Sequence, residues 1–345
     1  MNWLLSSPED FTIIGENIHA TRIVLLKGKR VVTLESGQEA VVFKDGSGRI
    51  RHLSIPESFK TEQPYQQGQV KHFMIAVKKG MSNDLAQQTG GKEYIAFEAR
   101  RQTAAGAHYL DLNVDEVSYD LEIQKKAMRW LVKTIQEISS IPPSIDSSNA
   151  DIIAVGLAEY DGRNGRPMIN SVALERLETL DLVKKFNGKV IITAAGADGM
   201  PNNTEERVEN VSQVMEAVQL HNIPINDVFI DGLVFPIAVD PQYGLHYLNA
   251  VRSLRKNFGS KIHLTGGLSN VSFGLPNRRL INQTFTYLSL EAGIDSGIVD
   301  PVQSSLKEIF NLDTKLKGVG MARDMLLGED EFCVNYIQSW REGNL

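Results

Sequence analysis

The chain has 345 residues, of which 42% are hydrophobic and 23% are charged. This composition is that of an ordinary folded protein and excludes a disordered chain. The formal net charge of −6 gives no basic surface of the kind that nucleic-acid binding needs. A single cysteine, Cys333, excludes internal disulfides and cysteine-ligated zinc or iron–sulfur sites. With no apolar run near the ~20 residues of a membrane span and no signal-peptide pattern in MNWLLSSPEDF, we expect a cytoplasmic protein without a membrane or nucleic-acid partner.

Short β-type runs alternate with longer segments whose apolar residues recur at helical spacing. Helical spacing is clear in Tyr94–Ala105, Leu121–Ile138 and Val208–Leu220. Alternation over eight strands is typical of an α/β fold of the (β/α)8 TIM-barrel type, and a doubly wound sheet, which has fewer units, is the alternative. The predicted strands are Phe11–Glu16, Tyr109–Asn113, Pro143–Asp146, Pro167–Asn170, Val190–Thr193, Val228–Asp231, Ile262–Thr265 and Gly297–Asp300.

The gap between the first two predicted strands is too long for one β–α unit. Within it, the stretch 23–83 alternates apolar and polar residues and contains Gly-Lys, Ser-Gly and Asp-Gly-Ser-Gly turn signals, which indicate β-hairpins. We predict a β-hairpin insertion after the first strand, which acts either as a stabilising or dimerising flap or as a lid or docking surface. The predicted domains are a barrel over 1–22 and 84–326, a β-rich insertion over 23–83 and a C-terminal helix over 327–345.

Two helical segments are predicted after the last strand. The stretch 304–316, SSLKEIFNLDTKL, is predicted to be the eighth barrel helix. The stretch 329–343 carries Phe332, Tyr336, Ile337 and Trp340 at amphipathic spacing. It is predicted to cap the barrel or to form a dimer contact.

Polar residues stand at the C-terminal ends of the predicted strands, which meet at one mouth in a barrel. A single Asp in such a place commonly caps the next helix, which suits Asp146 and Asp300. Amides inside apolar strands, Asn113 and Asn170, need hydrogen-bond partners. Carboxylates and amides together suit a flat, nitrogen-rich heterocycle. The histidines are not clustered, so the sequence predicts no transition-metal site. A magnesium site formed by carboxylates remains an alternative. The set comprises Glu16, Asn17, Asp111, Asn113, Asp146, Asn170, Asp231, Ser269, Asn270 and Asp300.

His19 is the one histidine near the predicted mouth. Two interpretations are open. It makes a backbone hydrogen bond within a loop, or it contacts a ligand or a partner protein.

Several motifs in chain order resemble one family. They are GENIHATR, GAHYLDLNVDE, PPSIDSSN, RPMINSV, IITAAGADGMPNN, VFIDGLVFP, GGLSNVSFGLPNRRLINQTF and AGIDSGIVDP. The chain resembles the pterin-binding methyltetrahydrofolate:corrinoid-protein methyltransferases, a group that includes the folate-binding module of cobalamin-dependent methionine synthase. The resemblance covers Phe11–Arg22 and about Glu93–Asp300.

The resemblance implies a role for each matching residue. Asp146, Asn170 and Asp231 would hold the aminopyrimidine edge of the pterin, with Asn113 beside them. Asn270 would approach the 5-nitrogen, with Arg278 nearby. The predicted catalytic residues are thus Asn270 and Asp231. The predicted substrate-binding residues are Glu16, Asn113, Asp146, Asn170, Asp231, Ser269, Asn270 and Arg278.

The implied activity moves a methyl group between 5-methyltetrahydrofolate and the cobalt of a corrinoid. None of the seven histidines has an Asp two positions before it, so the D-x-H-x-x-G corrinoid signature is missing. We therefore expect the cobalamin to be supplied by a separate corrinoid-binding protein, and the resemblance also implies a homodimer. Two positions depart from the family pattern. Gly232 stands where the corrinoid methyltransferases often have Pro, and Phe273 stands where some relatives have Gln.

Three alternatives remain at this point. A dihydropteroate synthase would need a Lys after the seventh strand and an Arg-x-His at the eighth, where this chain has GGLSNVS and GIVDP. A non-catalytic pterin-binding protein would have its mouth blocked or reused by the insertion. A barrel lyase or aldolase with magnesium is the third, although Schiff-base chemistry lacks a lysine at the strand ends.

Overall fold

A computed structural model describes residues 5–345 of the chain. Its strands and helices follow one another in the alternation that the sequence predicts. The strands are β1 (Thr12–His19), β2 (Val24–Leu25), β3 (Val31–Thr33), β4 (Glu39–Lys44), β5 (Ile50–Ser54), β6 (Gln69–Val70), β7 (Tyr109–Asn113), β8 (Pro143–Asp146), β9 (Met168–Val172), β10 (Lys189–Thr193), β11 (Val228–Asp231), β12 (His263–Thr265) and β13 (Ser296–Val299).

The helices occupy the segments between these strands and the C-terminal region. They are α1 (Gln63–Gln66), α2 (His72–Gly80), α3 (Leu85–Ala104), α4 (Leu121–Ile138), α5 (Ala150–Glu159), α6 (Thr179–Lys185), α7 (Thr204–Leu220), α8 (Tyr243–Phe258), α9 (Arg278–Ala292), α10 (Leu306–Phe310), α11 (Lys317–Leu326) and α12 (Val334–Arg341). Within residues 5–345, none of these helices combines the length and the apolar character that crossing a bilayer requires.

The main sheet has eight strands in the order β12-β11-β10-β9-β8-β7-β1-β13. The register is parallel where β7 meets β8 and where β10 meets β11. The two end strands are joined as well, because Ile298 N donates to Gly266 O over 2.9 Å and Gly267 forms a parallel bridge with Ile298. The predicted α/β TIM barrel is confirmed, and each of the eight predicted strands corresponds to one of its strands.

The chain divides into two compact units. One comprises the N-terminal segment up to Ile14 together with Ile169–Leu345, and the other comprises Gly15–Met168. In the first unit the strand interiors are hydrocarbon, as in β10, where Val190, Ile191 and Ile192 are fully buried. Burial of such side chains is the main favourable contribution to folding. The predicted division into barrel, insertion and C-terminal helix remains a prediction.

The Gly15–Met168 unit contains the predicted hairpin insertion. Strands β3, β4 and β5 form an antiparallel three-stranded sheet, and β2 pairs with β6. Phe43 of β4 packs its ring 5.1 Å from that of Tyr94 on α3. The β-hairpin character is confirmed, and the segment also contains α2, which the turn signals do not predict.

The C-terminal region differs from its prediction. In place of one eighth helix over 304–316, the short α10 ends at Phe310 and a separate helix, α11, begins at Lys317. Gly318 and Gly320 lie inside α11 and lower its intrinsic helix propensity, so the sequence gives only a weak signal there. In the last predicted segment Tyr336 is buried, but Phe332 precedes α12 in a left-handed conformation, with φ 52°, and is exposed.

Candidate functional site

Asn113 and Asp146 end two neighbouring parallel strands, β7 and β8, where they face each other in register. Asn113 Nδ2 donates to Asp146 Oδ2 over 2.9 Å, and Asn113 Oδ1 accepts from the backbone N–H of Asp115 over 3.0 Å. Asp146 Oδ1 makes no hydrogen bond to any residue from 5 to 345, and the Asp146 side chain is 21% exposed. The pair thus offers a carboxylate with one oxygen held and the other available.

Asp115 holds the loop that follows Asp146. Its carboxylate accepts from Ser147 Oγ at 2.6 Å and from the backbone N–H of Ser148 at 2.9 Å. Ser147 Oγ in turn accepts from the N–H of Asn149, the cap residue of α5. Sequence reasoning missed Asp115, although its place two residues after a strand-end amide is a usable signal.

His19 lies at the end of β1 and contacts the same carboxylate. Its Nε2 is 3.4 Å from Asp146 Oδ2, while its Nδ1 accepts from the backbone N–H of Thr21 over 3.2 Å. Burial alone would lower the pKa of His19, but the hydrogen bond and charge of Asp146, with the charge of Asp111, raise it above its ordinary value. The histidine therefore makes the expected backbone contact and also contacts a predicted site residue.

Glu16 is already paired within its own unit. Its Oε1 forms an ion pair with Arg22 Nη2, and Arg22 Nε donates to the Glu16 carbonyl over 3.1 Å. Because Glu16 is buried, this pairing is what allows its charge in the interior. Glu16 thus shapes the end of β1 together with Arg22.

In the other unit, the structure places Asn170 within β9 as a buried residue. The peptide bond between Asn170 and Ser171 is cis. Arg176 donates through Nε to the Ser171 carbonyl over 3.0 Å and through Nη2 to Ser171 Oγ over 2.9 Å. Arg176, which the sequence analysis did not single out, therefore fixes the strand end beside Asn170.

Asp231 ends β11 as a buried carboxylate, and its Oδ1 accepts from the backbone N–H of Leu233 over 2.7 Å. The turn after it is held by Arg207, which is fully buried and donates to the carbonyls of Gly232 and Asn203 over 3.0 and 2.8 Å. Burial lowers the pKa of Arg207, and the nearby charge of Asp231 opposes this shift. Guanidinium groups remain charged under such shifts, so Arg207 places a buried positive charge near Asp231.

Ser269 and Asn270 lie in the segment after β12, and Arg278, the first residue of α9, contacts this segment. Arg278 Nη2 donates to the Ser269 carbonyl over 2.8 Å, and Arg278 Nε donates to Ser272 Oγ over 2.9 Å. The guanidinium carbon also lies 4.5 Å from the ring centroid of Phe273. Arg278 therefore braces this loop from its own side.

The Asn270 side chain is half-buried, and its amide makes no hydrogen bond to the part of the chain that the structure describes. Gly267 provides the room for it, because a Cβ at Gly267 would lie 2.9 Å from Asn270 Nδ2. An amide that is held close to the backbone yet makes no internal hydrogen bond can donate to or accept from a ligand.

Asp300, another polar residue near a strand end, has a local structural role. Asp300 accepts from the N–H of Val302 over 3.0 Å and from Gln303 Nε2 over 2.7 Å, as expected of a turn-forming Asp. Among residues 5–345, no group of three or more His, Cys, Asp or Glu side chains is placed to hold a metal ion. The lone cysteine, Cys333, is buried.

The predicted residues thus fall into separate groups. Asn113 and Asp146 are brought together in one unit, where Glu16 pairs with Arg22 instead. In the other unit, Ser269 and Asn270 follow β12 and Arg278 begins α9. Asp231 ends β11, whereas Asn170 lies in the middle of β9, which continues to Val172 beyond the predicted end of the strand. In each group, charged side chains hold the backbone near the predicted site residues by hydrogen bonds. These side chains are Asp115, Arg176, Arg207 and Arg278.

Comparison with known proteins gives related sequences. A methylcorrinoid:tetrahydrofolate methyltransferase from Eubacterium limosum is 29% identical over 259 residues, which are 73% of this chain and 89% of that protein. A methionine synthase from Mycobacterium leprae is 32% identical over 216 residues. This match takes in 58% of this chain but only 17% of the synthase.

A solved structure shares the fold. Dihydropteroate synthase from Stenotrophomonas maltophilia superposes with a TM-score of 0.53 at 15% identity, over 64% of this chain and 86% of the synthase. This likeness concerns the fold alone. The family model described as pterin binding enzyme matches residues 86–300. This match takes in more than half of the sequence, and the chain therefore belongs to the pterin binding enzyme family.

Proposed function

We propose that this protein is a methyltransferase that moves the methyl group of 5-methyltetrahydrofolate to, or from, the cobalt of a corrinoid on a separate protein. Membership of the pterin binding enzymes supports the folate-type substrate. The name of the Eubacterium limosum relative supports the methyl transfer. The observation that carries the proposal is the Asn270 amide, which is held beside Gly267 without a hydrogen bond to the described chain.

The pterin would be bound by its hydrogen-bonding edge. An aminopyrimidine presents adjacent N–H donors, and a carboxylate accepts two such bonds in parallel. Asp146, with Oδ2 held by Asn113 and Oδ1 available, has the chemistry to accept one of these N–H groups through Oδ1. Asp231 would supply a second carboxylate, and Asn170 an amide that serves both donors and acceptors. In a TIM barrel the C-terminal strand ends carry the active site. Asp146 and Asp231 end β8 and β11, and Asn170 lies two residues before the end of β9.

Breaking the bond between the methyl carbon and N5 requires help, because a tertiary amine is a poor leaving group. Positive charge must develop on N5 before the methyl group departs, through a proton or through hydrogen bonds that strengthen in the transition state. We assign this role to Asn270 together with water, since the loop around it offers no carboxylic acid. Asp231 would keep the pterin ring in the electronic form and the position that this step requires. The amide would be set in place by Gly267 and by the Arg278 brace.

The methyl acceptor would be a corrinoid carried by the partner protein. When bound, the corrinoid supplies a nucleophilic cobalt(I). No histidine of this chain has the Asp two positions earlier that the corrinoid signature requires, so its residues do not fit a resident corrinoid. Phe273 follows Asn270 closely and is half exposed, and it presents an apolar surface that suits a partner contact. We further propose a homodimer that works in the cytoplasm, with 23–83 as a separate insertion on the barrel.

A direct test uses the purified protein with 5-methyltetrahydrofolate in a calorimetric titration. Stopped-flow absorbance then follows methyl transfer with cob(I)alamin as the acceptor. Saturable binding together with loss of the cob(I)alamin spectrum is expected. Binding without transfer would favour the non-catalytic pterin-binding alternative, and absence of binding would contradict both. Sedimentation velocity of the same sample tests the homodimer.

A further inference from the structure

We propose that His19 is a positioning residue that fixes the Asp146 carboxylate for the pterin edge and makes folate affinity depend on pH. This inference rests on the proposed function. The sequence comparison assigns no role to this histidine, and its contacts to Asp146 and Thr21 are internal to the Gly15–Met168 unit.

The tautomer of His19 follows from its contacts. The backbone N–H of Thr21 can only donate, and it points at Nδ1 over 3.2 Å. Thr21 Oγ1 lies closer to Nδ1, at 2.7 Å, and can donate to it as well. With Nδ1 accepting from the backbone N–H of Thr21, the neutral ring carries no proton on Nδ1. The ring proton is then on Nε2, which lies 3.4 Å from Asp146 Oδ2. The neutral histidine thus directs its one N–H toward the carboxylate.

This arrangement sets the orientation of the carboxylate. Asp146 Oδ2 faces two donors, Nε2 of His19 and Nδ2 of Asn113 at 2.9 Å. Oδ1 makes no hydrogen bond within residues 5–345. Holding one oxygen from two directions fixes the plane of the group before the ligand arrives, which lowers the entropy cost of binding.

The charges around His19 couple its protonation to the site. Asp146 and Asp111 favour the imidazolium, whereas burial and the positive charge of Arg22 oppose it, and the net effect raises the pKa of His19. Protonation places a hydrogen on Nδ1, which can then donate to Thr21 Oγ1 at 2.7 Å, while the backbone N–H of Thr21 loses Nδ1 as its acceptor. The imidazolium also competes with ligand N–H groups for the charge of Asp146. Folate affinity should therefore fall as the pH is lowered through the pKa of His19.

Two variants separate the hydrogen bond from the charge. His19→Gln keeps an N–H donor near the position of Nε2 but cannot become charged in this range. His19→Phe keeps an aromatic ring and removes both the N–H donor and the ability to become charged. The matched control is His221→Gln, because His221 also faces an Asp, with its Nε2 3.6 Å from Asp181 Oδ1, in the other unit and on an exposed surface.

The measurement is the Kd for 5-methyltetrahydrofolate by calorimetry at intervals between about pH 5.5 and 8.5, a range that brackets ordinary histidine titration. At the upper end, His19→Phe should weaken binding about tenfold, the scale of one charge-assisted hydrogen bond. His19→Gln should stay within about threefold of wild type and lose the pH dependence above about pH 6. His221→Gln should follow wild type.

The outcomes distinguish this inference from the proposed function. If wild type binds the folate and all three variants share its Kd and its pH profile, His19 has no positioning role while the proposed function stands. If wild type does not bind the folate at all, the proposed function fails and this inference fails with it. If His19→Phe does not fold, His19→Gln still decides between the two cases. A positioning role predicts that the Kd of His19→Gln no longer changes with pH, whereas a merely structural role predicts the same pH dependence as wild type.

Discussion

The hydroxyl of Tyr94 lies 2.8 Å from Nδ1 of His72, and both side chains are buried. Arg30 Nη2 donates to the same hydroxyl over 2.6 Å, and the hydroxyl proton can be donated to His72 Nδ1 or, over the longer distance of 3.5 Å, to Glu98 Oε1. Burial, and then the positive charge of Arg30, lower the pKa of His72 to about 3. The contact between the insertion and α3 is therefore built around a neutral imidazole.

Acid should weaken the fold through His72. In the unfolded chain its pKa is about 6.5, so between that value and about 3 only the unfolded state takes up the proton. The contribution of the neutral ring is complete above pH ~6.5 and decreases by ~1.4 kcal/mol per unit as the pH falls further. Between pH ~6.5 and ~4.5, wild type should lose about 2 kcal/mol more unfolding free energy than His72→Gln, whose amide oxygen can still accept from Tyr94.

Urea unfolding at a series of pH values measures this difference. The carboxylates of both proteins titrate alike, so the comparison isolates the histidine. If the unfolding free energy of wild type and of His72→Gln changed with pH in parallel, His72 would have the same pKa in the folded and the unfolded state, and the prediction would be wrong.

Replacing the proposed pterin-edge carboxylates should weaken folate binding. Asp146→Ala and Asp231→Ala each remove a charge-assisted hydrogen-bond pair and should cost about 1–3 kcal/mol of binding free energy. Calorimetry with 5-methyltetrahydrofolate gives the affinity, and Asp181→Ala, at an exposed aspartate of α6, is the control. Unchanged affinity in either site variant would remove that residue from the pterin edge.

Removing the Asn270 amide should affect transfer and spare binding. The proposed hydrogen bond to N5 would matter mainly in the transition state, so Asn270→Ala should lower the single-turnover rate about 100-fold. The Kd for the folate should stay within about threefold, since the edge contacts remain. Stopped-flow absorbance with cob(I)alamin reports the rate. Asn257→Ala, at an exposed position of α8, is the control, and equal rates in both variants would exclude the proposed role.

Adding one methyl group at Gly267 should disturb the same amide indirectly. The new Cβ would lie 2.9 Å from Asn270 Nδ2, and the flexible amide, not the backbone, can move away. Gly267→Ala should therefore lower the transfer rate while the unfolding free energy changes by less than about 1 kcal/mol. Gly320→Ala adds a methyl where nothing lies within 4 Å. A Gly267→Ala rate as high as that of the Gly320→Ala control would show that Asn270 tolerates displacement.

The barrel could be predicted because its strands are short apolar runs with polar ends. The proximity of Asn113 and Asp146 follows from the same logic, since they end strands that are neighbours in a parallel sheet. The contact of His19 with Asp146 could not be derived, because it depends on a ring orientation that Thr21 fixes. The contacts of Arg278 could not be predicted from the sequence either, because they depend on the 3-10 helix Leu268–Ser272 that follows β12.

Helices outside the repeating β–α units were the harder part. Helix α2 lies inside a segment that is rich in turn signals, and its apolar residues, such as Phe73 and Val77, are buried by tertiary packing. Helix α11 contains two glycines, which intrinsic propensity disfavours. In both cases burial against neighbouring elements outweighs the local preference of the chain.

Gly267 forms the bridge with Ile298 that joins the two end strands, and it also leaves room for Asn270. Protein engineers who wish to adapt this scaffold to bulkier methyl donors would consequently find this residue a poor starting point. A library that leaves Gly267, Ser272 and Arg278 unchanged would spare both the joint between the end strands and the contacts that hold the segment around Asn270.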